Sequence, residues 1–154
     1  VPLFLKQIHN NKDLTVTNIN MTRFNISISE ATNFVLKCLN NMKGGEIFIP
    51  KLPSYRITDL IKALGKKKYK VIGIRSGEKI HEELITSQEK IRTVEKKDYF
   101  IILPDSKKIK FKANKNNSSY NSYSNPNYLS VSALVQKIKK FIRFTKPLPK
   151  NPVE

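Results

Sequence analysis

Arg75 and Glu78 carry the most specific chemistry in this sequence. They lie in the run Ile74-Arg75-Ser76-Gly77-Glu78-Lys79-Ile80-His81-Glu82-Glu83. Arginine presents a planar fork of donors that matches phosphate oxygens two at a time. A carboxylate three residues on, across a Ser-Gly turn, can accept hydrogen bonds from a pair of sugar hydroxyls. A ligand carrying both a diphosphate and a ribose would satisfy both groups. The commoner use of this spacing is a solvent-exposed Arg–Glu pair on a loop, which contributes little. Spacing by itself leaves both roles open. Arg23, in Met21-Thr22-Arg23-Phe24, stands at the entry to an extended segment, and only the fold can bring it to the same ligand.

Other chemistries find no residues. His81-Glu82 begins like a zinc-protease signature, but Ile85 occupies the place of the second histidine. His9 is isolated, and no Cys/His cluster exists. The first 43 residues contain no glycine, and Gly44-Gly45 falls between a helix and a strand, the reverse of the order a dinucleotide loop needs. Nucleophile elbows and kinase loops are missing. No tyrosine has a lysine four residues on; Tyr69, for example, is followed at that distance by Gly73.

The elements that must position Arg75 follow from hydrophobic spacing. Tyr69 to Ile74 reads as a buried strand, so Arg75 sits at a strand's carboxyl end, where α/β folds place ligands. A short helix is expected after the loop, around His81 to Ile85, then a polar connection from Thr86 to Lys97. Upstream, residues 3 to 9 read as a helix after Pro2 and Leu14 to Thr17 as a strand. Ile26 to Ile28 reads as extended. Ser29 is the expected cap of a helix bearing Ala31, Phe34, Val35, Cys38, Leu39 and Met42 on an apolar face, closed by Gly44-Gly45. Cys38 on that face reads as core. Glu46 to Ile49 and Tyr99 to Leu103 read as strands, and a helix starting near Ile57 stops at Gly65. Strands alternating with helices across short loops define an α/β protein. Residues 113–129 read as a polar loop, 130–143 as a helix capped by Ser130, and 144–154 as a Pro-rich tail.

The chain has 154 residues and a net charge of +17, which fits one domain. Such charge favours nucleic acid, an anionic membrane or a phosphorylated ligand, although a Lys-, Asn- and Ile-rich composition also produces it without any polyanion. The five arginines, Arg23, Arg56, Arg75, Arg92 and Arg143, are therefore more informative than the many lysines. No run of 18 apolar residues exists, so no membrane span is expected. The opening Val1-Pro2-Leu3-Phe4 lacks an initiator Met and every mark of a signal peptide, and reads as a chain entered mid-fold. One cysteine precludes an internal disulfide and fits a reducing, cytoplasmic setting.

The ordered motifs Val1-Pro2-Leu3-Phe4, Leu14-Thr15-Val16-Thr17, Met21-Thr22-Arg23-Phe24, Glu30-Ala31, Gly44-Gly45-Glu46-Ile47-Phe48-Ile49-Pro50-Lys51 and Gly73 to Glu83 resemble the CapD-like polysaccharide biosynthesis proteins. The subgroup they are most similar to is the inverting UDP-N-acetylglucosamine 4,6-dehydratases, which are extended short-chain dehydrogenase/reductases. The resemblance covers residues 1 to 104 and returns at Tyr120-Asn121-Ser122, Asn125, Tyr128 and Leu129. It implies a C-terminal, substrate-binding part, residues 1–112, of an enzyme whose Rossmann part holds NADP and a Tyr-x-x-x-Lys pair. It implies no catalytic residue and no cofactor within this chain, which alone would be inactive. The expected partners are a UDP-sugar, the missing Rossmann part and, in the complete enzyme, further copies of itself. The implied reaction removes hydride from C4, eliminates water across C5–C6 and returns hydride at C6 with inversion at C5. By resemblance Arg75 contacts the diphosphate, Glu78 the ribose, Arg23 the same nucleotide, and Pro2 and its neighbours the uracil side. Ser76 departs from the family's usual proline and loosens the turn that aims Arg75. An apolar face around Leu3, Phe4 and Phe24 is expected to need cover.

Two alternatives differ in class. A UDP-sugar 4-epimerase of the same superfamily would share this grip and differ only in acid/base residues outside the chain. A basic nucleic-acid-binding module would use the charge together with Tyr120, Tyr123 and Tyr128. The arginines sit in loop motifs rather than on one face, and no DNA- or RNA-binding signature is present.

Overall fold

A proline in the first helical turn lacks only an N–H that would go unpaired anyway, and Pro2 opens the first helix in this way. In this computed structural model, which describes residues 1–66, 68–104 and 118–144, fourteen elements follow in order. They are α1 (Pro2–His9), β1 (Leu14–Val16), β2 (Thr22–Phe24), α2 (Ile28–Leu39), β3 (Ile47–Pro50), β4 (Ser54–Arg56), α3 (Ile57–Ala63) and β5 (Tyr69–Val71). After these come β6 (Glu83–Ile85), α4 (Ser87–Lys90), β7 (Thr93–Glu95), β8 (Tyr99–Ile102), β9 (Tyr120–Asn121) and α5 (Val131–Phe144). The protein is α/β, with short strands alternating with helices. Among the described residues no helix is long and apolar enough to cross a membrane. Residues 105–117, which include the first part of the expected polar loop 113–129, and residues 145–154 of the expected tail 144–154 lie outside the described residues.

Two compact units divide the chain. The first takes Val1–Met21, Tyr55–Ile80 and the chain from Leu129 onward. Its core is Phe4, Leu14, Val16, Leu60, Ile61 and Ile138. Each such side chain, taken fully out of water, contributes about 1.5–3 kcal/mol. β1 and β5 pair in parallel, Leu14 opposite Tyr69 and Val16 opposite Val71, and the Ile72 N–H extends the ladder to the Val16 carbonyl at 2.9 Å. Gln7 stitches α1 to β1, donating to the Thr15 hydroxyl at 2.8 Å. Gly65, at φ +73°, ends α3 in the left-handed conformation that glycine adopts freely. Ser130 caps α5 as expected, its hydroxyl accepting the Ala133 N–H at 3.2 Å.

The second unit is Thr22–Ser54 with His81–Tyr128. Its three-stranded antiparallel sheet runs β3–β8–β7. The register sets Ile49 opposite Phe100 and Thr93 opposite Ile102. Alternation along β8 sends Phe100 and Ile102 inward to meet Ile49, Ile85 and Tyr120. The Tyr120 hydroxyl donates to the Leu52 carbonyl and accepts the Leu52 N–H, and burial pushes its pKa up.

Several expectations are corrected. Residues 83–85 form β6, not a helix, because Glu83 and Ile85 pair antiparallel with β9; long-range pairing overrides local helix preference. The segment from Thr86 is not a plain connection. Thr86 and Glu89 form a capping box that starts α4, and β7 follows. The cap of α2 is Ser27 rather than Ser29, with Ser27 and Glu30 exchanging side-chain-to-backbone bonds, so Ile28 is helical. α2 ends at Leu39, and Gly44-Gly45 lies beyond a turn rather than at its cap. Its apolar face is not core. No α2 residue is buried, Val35, Leu36 and Leu39 are exposed, and Cys38 is half-buried, its thiol pKa raised by desolvation. β5 is exposed rather than buried. Of the expected apolar face, Leu3 is exposed, Phe4 is core, and Phe24 packs on the Tyr120 ring at 5.0 Å.

Candidate functional site

Parallel pairing of β1 with β5 brings their carboxyl ends side by side, and the Arg75 turn begins just beyond them. Gly77, at φ +79°, lets the chain reverse there. The Glu78 N–H donates to the Arg75 carbonyl at 3.1 Å, which closes the turn. The Glu78 carboxylate then folds back. One oxygen accepts the Arg75 N–H at 3.4 Å, and the other accepts the Thr17 hydroxyl at 3.1 Å from the end of β1.

This geometry separates the two roles the sequence leaves open. Glu78 braces the turn through backbone and hydroxyl bonds, and it forms no ion pair with Arg75; among the described residues Arg75 makes no salt bridge at all. The Arg75 side chain is exposed, while Glu78 is partly buried. A carboxylate accepts at about four lone-pair positions, so two bonds leave Glu78 able to accept more. Pro2 is exposed at the head of α1, in the same unit. A recess of about 450 Å³ in this unit lies at the opposite, amino-terminal ends of β1 and β5, against Asn11, Lys12, Leu14, Gly65 and Lys66. None of the expected site residues lines it.

Arg23 belongs to the second unit, on β2. Its guanidinium donates to the Thr22 carbonyl at 2.7 Å and lies 3.7 Å from a Glu82 carboxylate oxygen. The other Glu82 oxygen accepts the Phe24 N–H at 2.7 Å. Glu82 is itself fixed by backbone bonds in both directions with Ser122: its N–H donates to the hydroxyl at 2.9 Å, and its carbonyl accepts the Ser122 N–H at 2.7 Å. Behind it, Thr22 Oγ1 lies 2.7 Å from Ser122 Oγ and 2.8 Å from His81 Nδ1. Thr17, Thr22, Glu82 and Ser122 are residues that sequence reasoning missed. The motif placed His81 and Glu82 next to each other, but nothing local marks Thr22 or Ser122. Their partners lie 59 and 100 positions away. Among the described residues no group of three or more His, Cys, Asp or Glu side chains could hold a metal ion.

The model of the family described as polysaccharide biosynthesis protein matches residues 1–104. The chain belongs to that family. The match takes in Pro2, Arg23, Arg75 and Glu78. A UDP-N-acetylglucosamine 4,6-dehydratase (inverting) of Campylobacter jejuni is 46% identical over 124 residues, 79% of this chain and 36% of its own. A UDP-glucose 4-epimerase of Rickettsia canadensis is 36% identical over 116 residues, 72% of this chain and 34% of its own. The X-ray structure of Pen from Bacillus thuringiensis superposes with a TM-score of 0.74 at 34% identity, over 94% of this chain and 45% of that one. The chain thus spans between about a third and just under half of the proteins it matches. The solved structure shares the α/β framework of this chain.

Proposed function

We propose that this chain is the UDP-sugar-binding portion of a UDP-N-acetylglucosamine 4,6-dehydratase-like enzyme that supplies sugars for surface polysaccharide or glycan synthesis. The observation that carries this reading is the Arg75 turn. It carries an arginine without a salt bridge and, three residues on, a carboxylate with acceptor capacity to spare, just beyond the carboxyl ends of two parallel strands. Arg75 takes the diphosphate through charge-assisted, two-point bonds. Glu78 accepts the ribose hydroxyls while its remaining bonds hold the turn in place. Pro2 contributes an apolar surface to the uracil side. Residues 1–112 supply this grip.

The resemblance implies a dinucleotide cofactor, NADP, and the residues of this chain do not fit one. A dinucleotide site needs a glycine-rich turn that leads from a strand into a helix, whose N-terminus meets the pyrophosphate. Here Gly73 and Gly77 follow β5, but the chain runs on to β6. We place the cofactor and the Tyr-x-x-x-Lys pair on the rest of the polypeptide. The chain alone binds nucleotide without turning it over.

The 4-epimerase reading is supported by the Rickettsia relative. It uses the same grip, and product analysis of the complete enzyme separates the two. The test of the grip itself is a calorimetric titration with UDP of the wild type, Arg75→Ala and Glu78→Gln. Loss of a charge-assisted bond of about 1.5–3 kcal/mol weakens binding by roughly tenfold or more for Arg75→Ala. Equal affinity of wild type and Arg75→Ala would sink the assignment.

A further inference from the structure

Helix α5 carries four cations, Lys137, Lys139, Lys140 and Arg143, and no acidic residue. The imbalance extends beyond the helix. Between Asp105 and Glu154 the sequence holds eleven lysines and arginines and no carboxylate side chain, so most of the net charge of +17 lies in the last third of the chain.

The apolar stripe of α5 runs through Leu134, Ile138, Phe141 and Ile142, at the i, i+4, i+7 and i+8 spacing of one helix face. Its two ends meet different surroundings. Leu134 and Ile138 are buried, and Ile138 joins the core with Phe4, Leu60 and Ile61. Phe141 and Ile142, one turn further on, are 39% and 47% exposed. The stripe therefore runs off the end of the core and brings two large apolar side chains to the surface. On the polar side Lys139, Lys140 and Arg143 are exposed, and among the described residues none of the three makes a salt bridge.

An occupant must satisfy both the cations and the apolar pair. Nucleic acid neutralises the cations and offers Phe141 a base to stack on, but it leaves Ile142 in water. An acidic protein groove suits a free basic amphipathic helix, yet α5 keeps Leu134 and Ile138 in its own core, so no groove can take the whole face. A shallow contact remains. The surface of an anionic bilayer supplies headgroup phosphates for the cations and an apolar boundary layer for Phe141 and Ile142. Long lysine and arginine stems reach the headgroups while the apolar pair is inserted.

We propose that the C-terminal half of α5 docks this protein on an anionic membrane surface, through Phe141 and Ile142 in the interfacial layer and Lys139, Lys140 and Arg143 among the headgroups. The helix lies on the membrane and does not cross it; among the described residues no helix is long and apolar enough to do so. This assignment is independent of the nucleotide grip.

The chain contains no tryptophan, so Phe141→Trp places a single reporter in the contact. With vesicles of phosphatidylcholine containing roughly a quarter phosphatidylglycerol, its emission is expected to shift to the blue along a saturable curve. Pure phosphatidylcholine vesicles are expected to leave it unchanged, and added salt to weaken the binding. In co-sedimentation with the anionic vesicles, the triple variant Lys139→Gln, Lys140→Gln, Arg143→Gln is expected to bind on the order of a hundredfold more weakly than wild type, from about fivefold per cation. The double variant Phe141→Gln, Ile142→Gln is expected to lose about tenfold. Urea unfolding checks that both variants fold, and the Phe141→Trp measurement decides without them. A vesicle-bound Phe141→Trp protein whose emission stays unshifted overturns the proposal, because the other cations of the chain then make the contact. Equal binding of wild type to both kinds of vesicle, or undiminished binding of the folded triple variant, also overturns it. Wild type that binds single-stranded RNA and not the anionic vesicles overturns it in favour of nucleic acid.

Discussion

The Arg75 turn and the Thr22–His81–Ser122 file are both held by short polar contacts, yet they answer to different physics. In the turn, Arg75 and Glu78 are three residues apart, Arg75 is exposed, and only Thr17 reaches in from a distant segment. In the file, the partners are up to 100 positions apart and the two hydroxyls are sealed from water. A turn of the first kind keeps its key side chain at the surface with little stability invested. A file of the second kind ties segments together, and breaking it strands buried protons. Exposed polar groups and buried, structurally committed ones therefore sit in different parts of the chain.

Mutations can break or sharpen that contrast. The largest expected effect lies in the core of the second unit, where Ile85 on β6 is fully buried among Ile49, Phe100 and Ile102. Ile85→Ala is expected to destabilise the protein by about 2–5 kcal/mol in urea or guanidinium unfolding, from lost burial plus a cavity. Ser122→Ala removes a link of the file and leaves buried groups unpaired, at a cost of about 1–3 kcal/mol by the same measurement. Should Ser122→Ala prove as mild as a surface change, the contrast between the regions collapses. Thr86→Ala deletes the α4 cap and is expected to cost about 0.5–2 kcal/mol. Glu78→Gln, at the exposed turn, should shift stability by only about 0.5 kcal/mol while weakening UDP, which is the opposite profile to Ser122→Ala.

The smallest effect is pH-dependent. A side-chain bond from the Lys51 ammonium, at 2.6 Å, lowers the pKa of Glu95. A carboxylate depressed in the folded state adds stability above its unfolded pKa and loses it as pH falls through the folded value. Both side chains are partly exposed, so solvent screening holds this to about 0.2–1 kcal/mol. Lys51→Ala is expected to flatten the acid limb of a stability-against-pH curve by that amount and leave the neutral region otherwise parallel to wild type.

What the sequence disclosed follows the same division. The Arg75 turn was legible because its parts are local: a strand, a Ser-Gly reversal and a carboxylate within one short run. The helices capped by Ser130 and stopped at Gly65 were legible for the same reason. The Ser27–Glu30 and Thr86–Glu89 capping boxes are also written locally, as S-x-x-E and T-x-x-E, but Ser29 competes with Ser27 as a cap and the run after Thr86 is too polar to mark a helix by periodicity. β6 was not legible. Its helix-like composition yields to pairing with β9, whose residues lie almost forty positions on. Cys38 and its neighbours have core spacing without core burial, because periodicity shows that a face is apolar and not what meets it. Thr22 and Ser122 carry no local signal at all.

The proposed contact of Arg75 with a diphosphate is tested directly by labelling the arginine guanidinium groups with ¹⁵N and following their signals as UDP is added. Arg75→Lys identifies the resonance. The expected result is a saturable shift of the Arg75 signal with the same midpoint as calorimetric binding, and loss of that binding in Arg75→Lys, since an ammonium cannot reproduce the two-point fork. UDP binding that leaves the Arg75 signal unmoved would contradict the assignment of this turn as the nucleotide clamp.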